Sequence, residues 1–378
     1  MTTRSTDPDF TALIVLVDNT TGEQIAAIPA IVFASDLRFV MSRFAWMRRD
    51  GASIVVESPL ANMHARILDP RVAALLAALA QPAALDEVVQ ASGLTHAESR
   101  FVMAALQKIG AVREYGVSQS TSLEAQVPIT WEFQDLLFHT RTRAGRSPLR
   151  LSKSPLARGT SPKEGPQPGD RELPRIDVQE RAQHDPPFGV VTEARRSVRN
   201  FGAGSIPVEG VAELLARVLG PRRDGETDRR RFPSGGAVYE IDAVILAYDI
   251  TDLPRGCYRY QVQQHSLRPL RGDSDAFDYL GQMAAGAAGR PDDEIPPAVL
   301  VLAAHFNALS SQYDGIAYSL MLKHAGVLMA LLNLTAPLVG LGSVPLGLGD
   351  SDQFAAATGL DYYRNGSVGE VALCRARE

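Results

Sequence analysis

Apolar positions along this chain change their period repeatedly, and each change predicts an element. Residues 11–17 (Thr-Ala-Leu-Ile-Val-Leu-Val) form an apolar run closed by Asp18-Asn19-Thr20-Thr21-Gly22, and a second run occupies 24–33, which predicts two strands about a turn. Ser53–Glu57 and Met63–Leu68 read as further strands. After Asp69-Pro70, Val72, Leu75, Leu76 and Leu79 recur at helical spacing, and Pro70 suits the first turn because no amide partner is needed there. A helix over Leu85–Ala91 breaks at Ser92-Gly93-Leu94. Thr95 and Glu98 then make a capping box for a second helix with the stripe Phe101, Val102, Ala105, Leu106 and Ile109, stopped by Gly110. Followed by a strand at Ala111-Val112, this is a winged-helix pattern. Its second helix carries only Arg100 and Lys108 as cations, so phosphate neutralisation would be thin. A structural or peptide-recognition module, a dimerisation element and a DNA reader are the three readings open to it.

Residues 128–140 predict an amphipathic helix with Trp131, Leu137 and Phe138 as packing residues and His139 as a candidate cap. From 147 to 186 the chain is rich in Pro, Gly, Ser and charge, which predicts a flexible linker or flap containing the domain boundary. The expected organisation is an N-terminal winged-helix-like domain over 1–146, the linker over 147–186 and a second domain over 187–378. In the last, a helix follows Pro207, and Ile241–Tyr248 and Cys257–Val262 are strands about the turn Leu253-Pro254-Arg255-Gly256. Phe277–Met283 reads as a short helix, Ala298–His305 as a buried strand and Ile316–Leu334 as a long helix. Gly340-Leu341-Gly342 leads into a strand, and Glu370–Arg375 supplies the last one. Helices packed on the faces of a sheet give an α+β fold.

A chain of 378 residues, 45% hydrophobic and 21% charged, has room for two cored, globular domains. The formal net charge of -5, with cations gathered in short runs (Arg141–Arg150, Arg222–Arg231), argues against nucleic acid as a partner. Cys257 and Cys374 sit in strand-like segments, which suits neither a disulfide scaffold nor a metal site and predicts a cytoplasmic protein. The N-terminus lacks the pattern of a signal peptide. The apolar stretch 325–341 follows Lys323 and His324 and contains Asn333 and Pro337, which predicts a buried helix and no membrane span.

Three segments could carry chemistry. Arg195-Arg196-Ser197-Val198-Arg199 holds three guanidinium groups and a hydroxyl; in an extended segment Arg195, Ser197 and Arg199 share a side and suit a planar, phosphate-bearing ligand such as a flavin. The competing reading is a solvated charge run. Pro233-Ser234-Gly235-Gly236 is a turn whose glycines allow close backbone approach and expose amides, or a plain connection. Gly340-Leu341-Gly342-Ser343 to Gly347 is a second glycine-rich crossing, equally readable as the end of the long helix. Neither has the spacing of a dinucleotide or nucleoside-triphosphate loop.

Together these segments resemble the nitroreductase-like FMN superfamily, and within it the azoline (thiazoline/oxazoline) dehydrogenases of the SagB or McbC type. Arg195 to Phe201 resembles the opening flavin motif, Pro233 to Tyr239 the isoalloxazine loop, Leu253 to Tyr260 the hairpin of that branch and Gly340 to Gly347 its late glycine loop. Trp131-Glu132-Phe133 through Phe138-His139-Thr140 resembles the segment preceding its flavin domain. The resemblance implies a mostly antiparallel sheet flanked by helices and an FMN held by Arg195, Arg196, Ser197, Arg199, Pro233, Ser234, Gly235, Gly236, Gly340, Gly342 and Ser343. It further implies a homodimer or a paired biosynthetic subunit, and a peptide- or carrier-bound heterocycle as substrate.

The sequence departs from that branch where it typically has a Lys-Tyr pair before the long helix: here the pair is Gln312-Tyr313. Glutamine cannot be a general base. Positions where the branch commonly has Arg, Arg, Glu, His, Gln and Asn hold Ile316, Ser319, His324, Val327, Ala330 and Leu331. Either Tyr313 or His324 replaces the base, or the substrate differs, or the subunit has lost turnover. The alternatives are an NAD(P)H-dependent nitroreductase-like protein and a non-catalytic partner.

Overall fold

Strand-period segments build three sheets in the computed structural model, which describes residues 10–25, 37–116, 122–143, 165–202, 204–222, 229–313 and 315–376. The chain divides into two units, Met1–Arg150 and Leu151–Glu378.

The first unit contains β1 (Ile14–Asp18), β2 (Gln24–Ile25), β3 (Arg38–Met41), β4 (Trp46–Asp50), β5 (Ser53–Glu57), β6 (Met63–Ile67), α1 (Pro70–Ala78), β7 (Ala83–Ala84), α2 (Leu85–Ser92), α3 (His96–Lys108), β8 (Val112–Tyr115) and α4 (Phe133–Arg141). Its sheets run β2-β1-β6-β5-β4 and β7-β3-β8. Ile14, Leu16, Val56, Ala65 and Ile67 form a core with Val72 and Leu75 of α1 and Val102 and Leu106 of α3. The capping box forms as the sequence predicts, Thr95 and Glu98 satisfying each other's backbone at α3, and at α1 the Asp69 carboxylate accepts from the Arg71 amide at 2.8 Å. Only residues 24 and 25 of the second predicted strand are described as strand; 26–33 lie outside the described residues.

The helix expected over 128–140 begins at Phe133, because Glu132 is its extended N-cap and Ile129 stands 88% exposed. Leu136 faces inward, whereas Phe138 is 38% exposed. Arg141 closes α4 onto β5 through the buried Glu57 at 2.7 Å, which Arg48 also meets at 2.6 Å.

The second unit contains β9 (Arg171–Glu172), α5 (Val178–Ala182), α6 (Phe188–Ala194), α7 (Val208–Leu219), β10 (Ile241–Ala247), β11 (Gly256–Gln261), β12 (Ser266–Leu270), α8 (Ser274–Ala287), β13 (Ala298–His305), α9 (Phe306–Ser310), α10 (Ala317–Thr335), β14 (Leu341–Leu346), α11 (Ser351–Thr358) and β15 (Asn365–Arg375). These strands form one antiparallel sheet, β14-β15-β13-β10-β11-β12-β9. Leu214 and Leu215 of α7 and Met321 and Leu328 of α10 cover one face; Phe277 and Leu280 of α8 and Phe354 of α11 cover the other. Burial on both sides explains why central β13 reads as an unbroken apolar run.

Residues 165–182, which composition assigns to a linker, belong to this unit. β9 pairs with β12, Leu173 enters the core, and Asp170 meets Arg268 at 2.9 Å with both side chains about nine-tenths buried. One buried ion pair and one leucine order a segment whose average composition signals none.

The late glycine stretch also differs from its reading as a loop. Gly340, at φ 74°, ends a short turn, and residues 341–346 are the edge strand β14, where Pro345 is tolerated. A Cβ on Gly342 would lie 2.7 Å from Cys374 Sγ and 3.1 Å from Val198 Cγ1. Gly342→Ala is therefore expected to lower stability by about 2 kcal/mol, seen as an earlier urea midpoint with an unchanged m-value.

The long helix is only half-buried. The stretch Ala317–Val339 is long and apolar enough by composition to cross a membrane, yet Met321, Ala325, Leu328 and Leu332 pack on the sheet. Its other side leaves Tyr318, Leu322 and Val327 exposed.

Candidate functional site

The arginine motif leaves α6 at Arg195 and crosses the edge of the sheet, where the Val198 amide donates to the Ser343 carbonyl at 2.9 Å. Val198 and Phe201 pack into the core, which anchors the segment. Arg195 Nη1 donates to Asn333 Oδ1 at 3.1 Å, and Asn333 Nδ2 donates to Ser343 O and Oγ at 3.2 and 3.0 Å. Asn333, 2% exposed, thus ties the motif to β14. Arg195, Arg196 and Arg199 are exposed, and no carboxylate of the described residues pairs with them. Three cations without a carboxylate partner among the described residues, beside a hydroxyl, are suited to a dianion such as a phosphate monoester. Gly342 and Ser343 lie beside this motif; Gly340 immediately precedes β14, and its carbonyl accepts from the Ala376 amide.

A second cluster surrounds Pro233–Gly236. Gly236, Ala237 and Tyr239 all have left-handed backbone (φ 62°, 53° and 52°), which is unfavourable for the latter two. Ser234 Oγ accepts from the Tyr239 amide at 3.0 Å and donates to Glu240 Oε2 at 2.9 Å. The Gly235 amide donates to His324 Nε2 at 3.0 Å, and His324 Nδ1 lies 2.6 Å from Glu240 Oε1. Gln312 and Tyr313, which follow α9, press on the same turn. A Cβ on Gly236 would lie 2.5 Å from Gln312 Oε1 and 3.3 Å from Tyr313 Oη, so a side chain there would displace the Gln312 amide, and the left-handed φ favours glycine. Of Gln312, Tyr313 and His324, the His324 ring has both nitrogens engaged and Gln312 has no titratable group. The Tyr313 hydroxyl has no hydrogen-bond partner among the described residues.

The two clusters attach to different parts of α10. His324 and Asn333 are nine positions apart, about two and a half turns or about 13.5 Å, and flank the buried stripe on opposite sides. Sequence reading missed Glu240 and gave Asn333 no role at the site. The available signals were a carboxylate directly before a strong apolar strand and an amide inside an apolar helix.

A third polar group lies at the strand ends. Asp242 Oδ2 is 2.7 Å from His305 Nε2 and 2.6 Å from Arg259 Nη2. Burial alone would raise the Asp242 carboxyl, but the His305 hydrogen bond and the Arg259 and Arg230 charges outweigh it and hold it well below the carboxylate range.

Residues 192–372 match the model of the nitroreductase family, and residues 39–148 match that of cyanobactin oxidase ThcOx. A Methanocaldococcus jannaschii protein assigned to the nitroreductases is 25% identical over 156 residues, 40% of this chain and 74% of its own. Among solved structures, one from Ralstonia eutropha assigned to the same class superposes with a TM-score of 0.46 at 22% identity, over 61% of this chain and 99% of that one. A chain of the Escherichia coli microcin synthetase McbBCD complex, solved with truncated pro-MccB17 bound, gives 0.43 at 19% identity, over 58% and 80%.

Proposed function

We propose, for a chain that carries a nitroreductase-family domain over residues 192–372 behind a segment matching cyanobactin oxidase ThcOx, that it is an FMN-dependent dehydrogenase. Its substrate in this reading is a peptide- or amino-acid-derived azoline, or a similar heterocycle, in natural-product biosynthesis. The observation that carries the cofactor assignment is the set of exposed guanidinium groups at Arg195, Arg196 and Arg199, without a carboxylate partner among the described residues, of which Arg195 is held by buried Asn333 beside Ser343.

When bound, FMN supplies a two-electron acceptor for hydride, later reoxidised by oxygen or another acceptor. Arg195, Arg196, Ser197 and Arg199 bind its phosphate and balance charge on the ring, while the Pro233–Gly236 turn, with Ser234 and Gly235 held from behind, lets backbone approach closely. Tyr313 is the residue that holds or moves a proton, through Oη, or orients substrate. A phenol needs a cationic neighbour or the flavin's own field to act as a base near neutrality. Gln312 orients by its amide. Gly340 and Gly342 keep β14 free of side chains next to the arginine motif.

The clusters on opposite flanks of α10 and the exposed Tyr318, Leu322 and Val327 favour a homodimer, or pairing with a related subunit, in which one copy's arginine motif meets the other's glycine turn. The helices α2 and α3 with β8 are read as a winged-helix module for a peptide or carrier-bound substrate, in a cytoplasmic protein that engages neither nucleic acid nor membrane.

Gln312 at the expected lysine position favours a second reading, a non-catalytic partner. An NAD(P)H-dependent reductase is distinguished by rapid bleaching of the bound flavin with NADPH. The primary test is an absorbance spectrum and cofactor extraction on gently purified protein. Bands at roughly 375 and 450 nm that release FMN are expected; a colourless protein that takes up no added FMN sinks the proposal.

A further inference from the structure

We infer that Glu240 and His324 are positioning residues, a buried carboxylate–imidazole relay that fixes the Pro233–Gly236 turn in the conformation that receives its ligand. The ligand part of this inference rests on the cofactor reading above; the relay itself does not.

The Glu240 side chain is fully buried, and no Lys or Arg among the described residues pairs with it. Burying a carboxylate is costly unless charge-assisted hydrogen bonds compensate it, and the Ser234 hydroxyl and the His324 ring fill that role. Proton directions follow from valence. The Gly235 N–H can only donate, so His324 Nε2 accepts and the ring proton of the neutral imidazole sits on Nδ1, pointing at Glu240 Oε1. Ser234 Oγ accepts from the Tyr239 amide, so its own proton goes to Glu240 Oε2. Every donor in the ring therefore has an acceptor, and two consecutive residues of the turn, Ser234 and Gly235, are held from behind.

Such a clamp has a purpose here because the turn is strained. Left-handed Ala237 and Tyr239 each disfavour the observed backbone by about 1 kcal/mol or more, and an untied turn would relax. His324, a candidate base by sequence, is occupied as an acceptor while the turn is closed. The Tyr313 and His324 rings each come within 3.5 Å of where a Cβ on Gly235 would stand, and no hydrogen bond joins Tyr313 to the relay among the described residues.

The test uses the full chain with isotope-labelled histidine, first without flavin. The Nδ1–H tautomer at His324 and a slowly exchanging Gly235 amide are expected. FMN titrations by fluorescence quenching then compare variants. Glu240→Leu is expected to weaken FMN about ten- to a hundredfold and to release the His324 tautomer, with Glu240→Gln losing less. His324→Gln, whose amide oxygen can still accept from Gly235, should recover part of what His324→Phe loses. An Nε2–H tautomer in the parent protein overturns the inference, as does His324→Phe binding FMN normally with unchanged Gly235 exchange. If the parent takes no FMN, the cofactor proposal fails while the tautomer and exchange still decide the relay. If Glu240→Leu does not fold, the parent measurements and Glu240→Gln decide it.

Discussion

The double variant Arg196→Ala, Arg199→Ala is expected to bind FMN roughly a thousandfold more weakly than the parent while unfolding at nearly the same temperature. Each guanidinium–phosphate contact is a charge-assisted hydrogen bond of about 1.5–3 kcal/mol, so losing two removes about 3–6 kcal/mol of binding. Stability is spared because both side chains are exposed and neither holds a carboxylate of the described residues, conditions under which substitutions usually stay within about 0.5 kcal/mol. Asn333→Ala should differ, since it strips buried Ser343 of its partner and costs stability as well as affinity. Titration calorimetry beside thermal unfolding separates the two. Unchanged FMN affinity in the double variant would falsify the phosphate assignment.

The second large effect is on folding. Asp242→Ala is expected to destabilise the second unit by about 3 kcal/mol at neutral pH, because it leaves the mostly buried Arg259 and His305 without their shared anion. The sign with pH follows from the depressed carboxyl. Its folded-state value lies below the unfolded 3.8, so its stabilisation is complete above that value and is lost as pH falls toward the folded one. The gap between parent and variant in urea unfolding should therefore be constant near neutrality and narrow below about pH 4. A gap that widens with acid, or one under about 0.5 kcal/mol at pH 7, would show that the cluster does not hold the sheet.

Where residue type and short spacing suffice, the chain is legible. β13 is apolar throughout because both its faces are covered, and α3 is announced by Thr95 and Glu98 and ended before Gly110. β3 and β4 escape such a reading, since β3 is only four residues long with Phe39 as its one buried side chain, and β4 carries adjacent Arg48 and Arg49 with no fully buried residue. β14 reads as a glycine loop because the reason for Gly342, the approach of Cys374 and Val198, comes from other parts of the chain.

The same division runs through the candidate site. Cations at 195, 196 and 199 and the paired glycines at 235 and 236 announce a ligand-holding character locally, because forked donors and side-chain-free backbone are properties of residue types. Their partners are decided only by folding: Asn333 reaches Arg195 across 138 positions, and Glu240 reaches His324 across 84. A hydrogen bond depends on ångström-scale placement, and only packing of α10 on the sheet supplies that placement. Tertiary structure thereby turns His324 from a helical histidine of open role into an acceptor for Gly235, and Asn333 from a polar interruption into the link between the arginine motif and β14.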